Sequence, residues 1–349
     1  MPQHTDHTEA SIGLIKVLEP ARAGRAVPIV SVVVPTCGRP HLLERCLDAL
    51  SRQQFEAFFE IIVVDDRPSE ATHAVYQSWS AVVIRAGNAM HYVASPGPHG
   101  PAAARNRGWR MARSDIVAFT DDDTVPDPFW LSNGLKALED SFGAVCGRIV
   151  MPIPQQPTDY ERDASGLERA EFVTANCFCR KALLERVGGF DERFKLAWRE
   201  DSDLQFRILE TGARIGYAKD AVVVHPVRPA SWGISLQQQK KVMFDALLYK
   251  NHPRLYRSRI RKSPRWDYYA IVAAMLGAIA NGLFGSAWLA AILLGLWCLL
   301  TARFCMQRLR GTSHTVSHVT EMIVTSVLIP PLAVFWRLAG MLKFRVGFA

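Results

Sequence analysis

An uncharged apolar stretch near the C-terminus constrains the fold of this chain more than any other feature. No charged residue lies between Tyr268 and Ala302, and the stretch is interrupted by Asn281-Gly282 and Gly285-Ser286. One membrane-spanning helix needs about 20 apolar residues. Because backbone polar groups inside a bilayer must be paired internally, such a stretch folds there as helices. We therefore predict a transmembrane helical hairpin over residues 268–304, with its turn near 283–286.

Basic residues flank this hairpin on both sides. Six arginines and lysines and no acid lie between Asn251 and Arg265, so residues 256–267 are predicted to form a basic juxtamembrane linker. Arg308 and Arg310 follow the second span. Anionic headgroups attract such clusters, and cytoplasmic loops are enriched in them. We expect a multi-pass protein of the inner (cytoplasmic) membrane with its preceding domain in the cytoplasm.

Residues 305–349 contain a basic loop and a third apolar stretch, from Val319 to Leu342. Glu321, Pro330-Pro331 and Arg337 interrupt its apolar character. Both a spanning helix and an interfacial helix are compatible with this pattern.

The chain before the apolar stretch has the composition of a soluble α/β domain. The formal net charge of +8 is concentrated beside the apolar tail, and no zinc-finger or RNP-like spacing is present, so we expect no nucleic-acid partner. Seven cysteines without paired CxxC spacing indicate reduced thiols. Residues 1–28 show no periodicity and are predicted to be a flexible tail.

The domain begins with a pattern typical of a βαβ unit. A strand from Ile29 to Val34 ends at Pro35-Thr36, apolar residues then recur at helical spacing from Leu42 to Leu50, and a second strand ends at Asp65-Asp66. The connection between parallel strands places both strand ends at one edge of the sheet.

A third buried strand, Ile116 to Thr120, ends in Asp121, Asp122 and Asp123. Ligands bind parallel sheets at the carboxyl ends of the strands. Alternate carboxylates, Asp121 and Asp123, can present hard oxygens to Mg²⁺ or Mn²⁺. A solvated acidic turn is the alternative for an isolated triplet, since short motifs match by chance.

Two further segments have both a functional and a structural interpretation. The breaker-rich loop 96–101 opens a helix carrying Arg105 and Asn106, which could face a phosphate or lie on an ordinary surface helix. Glu200 and Asp201 begin another helix. They could complement its dipole, or a carboxylate there could act as a general base toward a hydroxyl.

In this order, the PTCGRP turn, the VVDD strand end, the AAARNRG helix start, the FTDDD strand end and the WREDSD motif resemble the family 2 glycosyltransferases. The resemblance covers roughly residues 29–255 and implies the GT-A fold, a Rossmann-like, mostly parallel sheet flanked by helices. The weaker segments Ala81 to Arg85 and Met90 to Val93 are predicted as strands of this sheet.

The resemblance implies a division of roles among the acids. Pro35 and Thr36 lie along the nucleotide base, and Asp66 matches the base-binding acid better than Asp65. Asp121 and Asp123 hold a divalent metal on the donor diphosphate, and Asp122 faces the ribose or sugar. The implied donor-binding residues are Pro35, Thr36, Arg39, Asp65, Asp66, Arg105, Asn106, Asp121 and Asp122.

Downstream, the resemblance implies an acceptor side. Residues 151–170 are expected to form an acceptor loop, Asp201 is the expected base, and Glu200 shapes the acceptor site. His225 matches a position that some relatives use as a further metal ligand, although a lone histidine after a strand is as often structural.

The resemblance implies inverting, metal-dependent transfer of a sugar from a nucleotide-diphosphate sugar to a hydroxyl. We expect transfer of a single sugar, and the membrane tail favours a lipid or lipid-linked acceptor. A processive polysaccharide synthase is one alternative, but its Gln-x-x-Arg-Trp signature is not matched by Arg228 to Trp232. A non-catalytic membrane-bound binding module is another. We expect removal of residues 266–349 to leave a domain that still binds nucleotide.

Overall fold

A computed structural model describes residues 27–138 and 141–347 of the 349-residue chain. The predicted N-terminal tail therefore lies almost entirely outside the described residues. Within the described ranges the domain is built on an eight-stranded sheet of order β3-β2-β1-β4-β7-β6-β8-β5. Its strands are β1 Val30–Thr36, β2 Phe59–Asp65, β3 Ala89–Ala94, β4 Ile116–Thr120, β5 Val125–Pro126, β6 Ala144–Val150, β7 Asn176–Arg180 and β8 Ile215–Val224.

Helices cover both faces of this sheet and form the C-terminal region. They are α1 Pro40–Ser51, α2 Glu70–Arg85, α3 Pro101–Met111, α4 Trp130–Ala137, α5 Asp159–Ala164, α6 Lys181–Val187, α7 Glu200–Glu210, α8 Ile234–Gln238, α9 Met243–Asn251, α10 Pro253–Leu255, α11 Trp266–Phe284, α12 Ala287–Leu309 and α13 Val316–Phe344. Short 3₁₀ segments cover Ser165–Arg169 and Gln239–Val242, and a π-helical turn covers Tyr256–Ile260.

The predicted mostly parallel sheet is confirmed. β1 pairs in parallel with β2 and β4, β2 with β3, and β6 with β8, whereas β7 runs antiparallel to both β4 and β6. Every residue of β1 and β2 is buried, as their continuous apolar runs require. The carboxyl ends of β1, β2 and β4 therefore meet at one edge, where the predicted site residues follow them.

One predicted strand is wrong. Ala81 to Arg85 is the last part of helix α2, and the strand that follows starts at Ala89. The run is apolar, but only Val83 is fully buried in it while Val82 is 38% exposed. Burial on one side only is typical of a surface helix. The periodicity of so short an apolar run cannot distinguish a strand from a helix.

The C-terminal helices α11, α12 and α13 are each long and apolar enough to cross a membrane. α11 and α12 form the predicted hairpin and leave large apolar side chains exposed, among them Phe284 at 90% and Trp288 at 77%. An exposed apolar surface of this kind marks a membrane-facing region, so the helices indicate membrane association.

Helix α13 differs because it packs on the domain that contains the sheet. The segment before the basic linker is broken into α8, a 3₁₀ segment and α9, and Phe244, Leu247 and Leu248 of α9 are buried. Trp336 and Met341 of α13 pack against this cluster. The tail and the domain thus share a hydrophobic core, which argues against a tail that can be removed without damage.

A glycine permits the close contact between α13 and α9. A Cβ added at Gly340 would lie 2.5 Å from the carbonyl oxygen of Met243, whereas one added at Gly295 in α12 would meet nothing within 4 Å. We predict that Gly340→Ala destabilises the protein by about 1–3 kcal/mol, because the overpacked backbone must shift. Thermal unfolding in detergent measures this change.

The same substitution at Gly295 is the matched control. Gly295→Ala should be neutral or stabilising by up to about 1 kcal/mol, because alanine favours a helix over glycine. Equal unfolding temperatures for the two variants would contradict the proposed packing of α13.

Candidate active site

The candidate site lies at the carboxyl edge of the sheet, where β1, β2, β4 and β8 end and helices α3 and α7 begin. Five carboxylates are gathered there: those of Asp121, Asp122 and Asp123 directly follow β4, and those of Glu200 and Asp201 begin α7. Charges of one sign in a buried site repel strongly, so each acid must have a partner.

Asp122 is held by residues at the end of β1. Thr36 donates a hydrogen bond from Oγ1 to Asp122 Oδ2 at 2.7 Å, and Arg39 Nη2 lies 2.6 Å from Oδ1. Asp122 is fully buried, and this burial raises its pKa to about 7 despite the nearby Arg39. Both oxygens contact residues at the end of β1, so Asp122 ties the acidic triplet to that strand.

Asp121, Asp123 and His225 form a group that can hold a metal ion. One ligand atom from each lies within 4.8 Å of the other two. His225 Nε2 is 3.5 Å from Asp123 Oδ1, and the buried Nδ1 of His225 has no hydrogen-bond partner among the described residues. Two carboxylates with one imidazole suit Mn²⁺ or Mg²⁺, so the residues fit the predicted divalent cation.

Arg105 connects the acidic triplet to the start of α7. Its Nη2 donates to Asp121 Oδ1 at 2.7 Å, and its Nη1 lies 3.3 Å from Glu200 Oε1. Burial lowers the pKa of Arg105, but the carboxylates of Asp121, Asp201 and Glu200 more than offset this, and the pKa is raised. The guanidinium therefore remains charged between two acids.

Glu200 and Asp201 occupy the first turn of α7, after Arg199 in the left-handed region with φ 75°. Thr174 donates to Asp201 twice, from Oγ1 at 2.7 Å and from its backbone N–H at 3.2 Å. Burial raises the pKa of Asp201, and burial followed by repulsion from Asp201 raises the pKa of Glu200 to about 8. A carboxylate held in place with a raised pKa is a better base than a solvated one.

Asp65 and Asp66 have different environments. Asp65 is fully buried and accepts hydrogen bonds from Tyr92 Oη at 2.9 Å and from the backbone of the following turn. Asp66 accepts from the backbone N–H of Gly100 at 2.9 Å, and His99 Nδ1 lies 3.5 Å away. Asp65 thus stabilises the end of β2, while Asp66 lies against the loop that opens α3.

Asn106 contacts a turn rather than the edge of the site. Its Oδ1 accepts from the backbone N–H of Phe190 and from Trp109 Nε1, both at 2.8 Å, and its Nδ2 donates to Phe190 O at 2.9 Å. A Cβ on Gly189, whose φ is +70°, would lie 2.5 Å from Asn106 Oδ1. Its amide groups bind within the protein, so Asn106 positions this turn.

Pro35 lies within the buried strand β1, opposite Val64, and so frames the site through its backbone.

Two side chains that contact carboxylates of the site were not predicted from the sequence. Thr174 could not be found because 27 residues separate it from Asp201. Arg228, whose Nε lies 3.2 Å from Asp123 Oδ2, stands three residues after His225, and that proximity was the available signal.

Comparisons with known proteins agree with this geometry. The model of the family described as Glycosyl transferase family 2 matches residues 31–194, and that of Glycosyl transferase family group 2 matches residues 116–338. The glycosyltransferase AglE of Haloferax volcanii is 27% identical over 227 residues, covering 62% of this chain and 72% of that protein. The pre-mycofactocin glycosyltransferase of Mycobacterium tuberculosis is 32% identical over 218 residues, covering 57% of this chain and 43% of that protein.

A solved structure has a similar fold. The mannosyltransferase PcManGT from Pyrobaculum calidifontis, in complex with GDP-Man and Mn²⁺, superposes with a TM-score of 0.56 at 22% identity, covering 90% of this chain and 88% of that one. The predicted family and fold are therefore confirmed, and nucleotide-sugar use follows from the family. The chain is a glycosyltransferase with a GT-A fold and belongs to glycosyltransferase family 2.

Proposed function

We propose that this enzyme transfers a single sugar from a nucleotide-diphosphate sugar to a hydroxyl acceptor with inversion at the anomeric carbon. One observation supports this most strongly. Arg105 bridges Asp121 and Glu200, and so divides the acids into a group that can hold a metal and a group that can take a proton. An enzyme of this class requires both groups, because it must stabilise a leaving diphosphate and activate an acceptor.

The donor side would use Asp121, Asp123 and His225 to hold Mg²⁺ or Mn²⁺. The bound ion supplies Lewis-acid stabilisation of the departing diphosphate. Thr36 and Arg39 keep Asp122 turned into the protein, so that the two outer carboxylates of the triplet share the cluster with His225. We assign the contact with the nucleotide base to Asp66, which lies beside the backbone of Gly100, because Asp65 is fully buried.

The acceptor side would use Asp201 as the base. In one displacement, the acceptor oxygen forms a bond to the anomeric carbon while the bond from that carbon to the diphosphate oxygen breaks. The acceptor proton passes to Asp201, and the electron pair leaves with the diphosphate. Thr174 fixes the carboxylate by two hydrogen bonds, and one in-line step inverts the anomeric centre.

The base can be separated from the metal group by substitution. Asp201→Asn keeps the shape of the side chain and should retain metal-dependent binding of the donor while transfer falls by about 10²–10⁴-fold. Asp123→Ala should instead lose metal-dependent donor binding together with transfer. Thermal shift with nucleotide sugars and Mn²⁺, beside a product assay, distinguishes the two. Transfer by Asp201→Asn within a few-fold of wild type would place the base elsewhere.

We also propose a membrane arrangement in which α11 and α12 enter the bilayer and α13 lies at its cytoplasmic surface. The backbone N–H of Gly233 donates to Glu321 Oε1 at 2.7 Å near the start of α13, and Lys250 Nζ donates to Phe344 O at 2.7 Å at its end. A spanning helix carries its ends to opposite faces, whereas both ends of α13 contact one domain. The basic linker supports placing that domain at the inner membrane.

Labelling from each side of the membrane tests this arrangement. With the exposed Cys37 and Cys298 replaced, we expect an impermeant maleimide to reach Val316→Cys and Gly347→Cys from the cytoplasmic side alone. Ser286→Cys, at the turn of the hairpin, is the control and should react from the opposite side. Opposite sidedness for positions 316 and 347 would show that α13 crosses.

A further inference from the structure

A cavity of about 370 Å³ lies where the catalytic domain meets the ends of α12 and α13. Its walls are α5, the loop at residues 227–235, the last turn of α12 and the first two turns of α13. It is distinct from the group formed by Asp121, Asp123 and His225, none of which lines it.

Arg228 joins this cavity to the candidate active site. Its side chain lines the cavity, and its Nε is 3.2 Å from Asp123 Oδ2. The two spaces are therefore separated by the length of one arginine side chain. A molecule held in the cavity can extend to the place where the donor sugar is transferred, which is where an acceptor must reach.

The charged groups of the cavity do not favour an anion. Three carboxylates line it, from Asp159, Glu161 and Glu321, against the guanidinium groups of Arg228 and Arg308. The buried Arg308 is already paired with Asp159, at 2.8 Å from Nη2 to Oδ2. A phosphate here would meet an excess of negative charge, whereas a neutral ligand rich in hydroxyls would not.

Two further features suit such a ligand. His318 lines the cavity and is 4% exposed, yet neither ring nitrogen has a hydrogen-bond partner among the described residues. Glu321 Oε2 lies 4.0 Å from its Nδ1, beyond hydrogen-bond distance. A buried imidazole without partners is unfavourable, and a ligand hydroxyl can both donate to it and accept from it. Trp232, 51% exposed, and Tyr160 supply flat apolar faces for the C–H face of a sugar ring.

The position of the cavity indicates that its ligand is attached to a lipid chain. It opens beside the helix ends that flank the apolar hairpin, where Met306, Val316 and Ile323 are 58%, 84% and 54% exposed. A lipid chain can pack on these side chains while the polar head enters the cavity.

We infer that this cavity binds the saccharide head of a membrane glycolipid, which is the acceptor of the transferred sugar. His318 pairs with a hydroxyl of that saccharide, Trp232 stacks on its ring, and Arg228 separates it from the donor. The inference rests on the proposed function, whose acceptor class it names.

Octyl glucoside, a sugar on an alkyl chain, is a direct probe. We expect it to protect residues 158–164 and 227–235 of the full chain, in phosphatidylcholine nanodiscs, from hydrogen exchange. His318→Ala and Trp232→Ala should each weaken the protection by about tenfold, since each removes one polar or stacking contact. Trp232 is half exposed, so its replacement leaves the fold intact. The control Trp288→Ala, on the exposed face of α12, should bind as wild type does.

Two comparisons complete the experiment. Octyl phosphate and an octyl oligoethylene glycol carry the same chain without a sugar, and protection by either one equal to that by octyl glucoside would overturn the inference. Unchanged protection in both His318→Ala and Trp232→Ala would overturn it as well. Nucleotide-sugar binding with Mn²⁺ is measured in the same samples. If wild type does not bind nucleotide sugar with Mn²⁺ but is still protected by octyl glucoside, the proposed function is refuted while the saccharide site in the cavity stands.

Discussion

The structure depends on one buried guanidinium. Arg105 is 4% exposed and lies between Asp121, at the end of β4, and Glu200, at the start of α7. Without it, the buried carboxylate of Glu200 and the partly buried carboxylate of Asp121 would approach each other with no cation between them, and a buried charge that loses its partner is strongly destabilising. The sheet edge and α7 can approach each other because α3 places this cation between them.

The neighbours of Arg105 extend the same constraint. Asn106, the next residue, holds the backbone of Phe190, and the ring of Phe190 lies 5.8 Å from the guanidinium carbon of Arg105. At the start of α3, the backbone N–H of Gly100 is bound to Asp66. Helix α3 and its first residues therefore fix three parts of the site: Asp66, the guanidinium of Arg105 between the two groups of acids, and the turn at Phe190. Gly100, in the loop rich in glycine and proline, caps α3 without a side chain, and its backbone N–H is therefore close enough to bind Asp66.

Several parts of this organisation could be predicted from sequence because they depend on local pattern. The strands β1, β2 and β4 are apolar runs with clear ends, and the acids that follow β2 and β4 lie at one edge because parallel strands end together. The pairing of side chains could not be predicted in this way. Asp122 faces Thr36 and Arg39, more than 80 residues away along the chain, and no local pattern encodes such a contact.

The C-terminal helices show a second limit. An apolar surface that faces lipid and one that packs on protein have similar compositions, so the sequence left both a spanning and an interfacial helix open for the stretch that forms α13. Contacts made this distinction, since Gly340 packs on the backbone of Met243 while Gly295 has no neighbour within 4 Å. The short strand β5 and helix α4 were not predicted for a different reason. Pro126 and Pro128 are typical of a turn, and they hide the strand and the start of the helix in the sequence pattern.

The central claim is that Asp121, Asp123 and His225 together hold the metal, while Arg105 keeps the acids of α7 apart from it. Pulsed electron paramagnetic resonance of Mn²⁺ bound to the full chain with a nucleoside diphosphate tests this directly. The account predicts nitrogen modulation from one imidazole that disappears in His225→Gln and persists in Asp201→Asn. Bound Mn²⁺ without nitrogen modulation in wild type, or with modulation unchanged in His225→Gln, would contradict it.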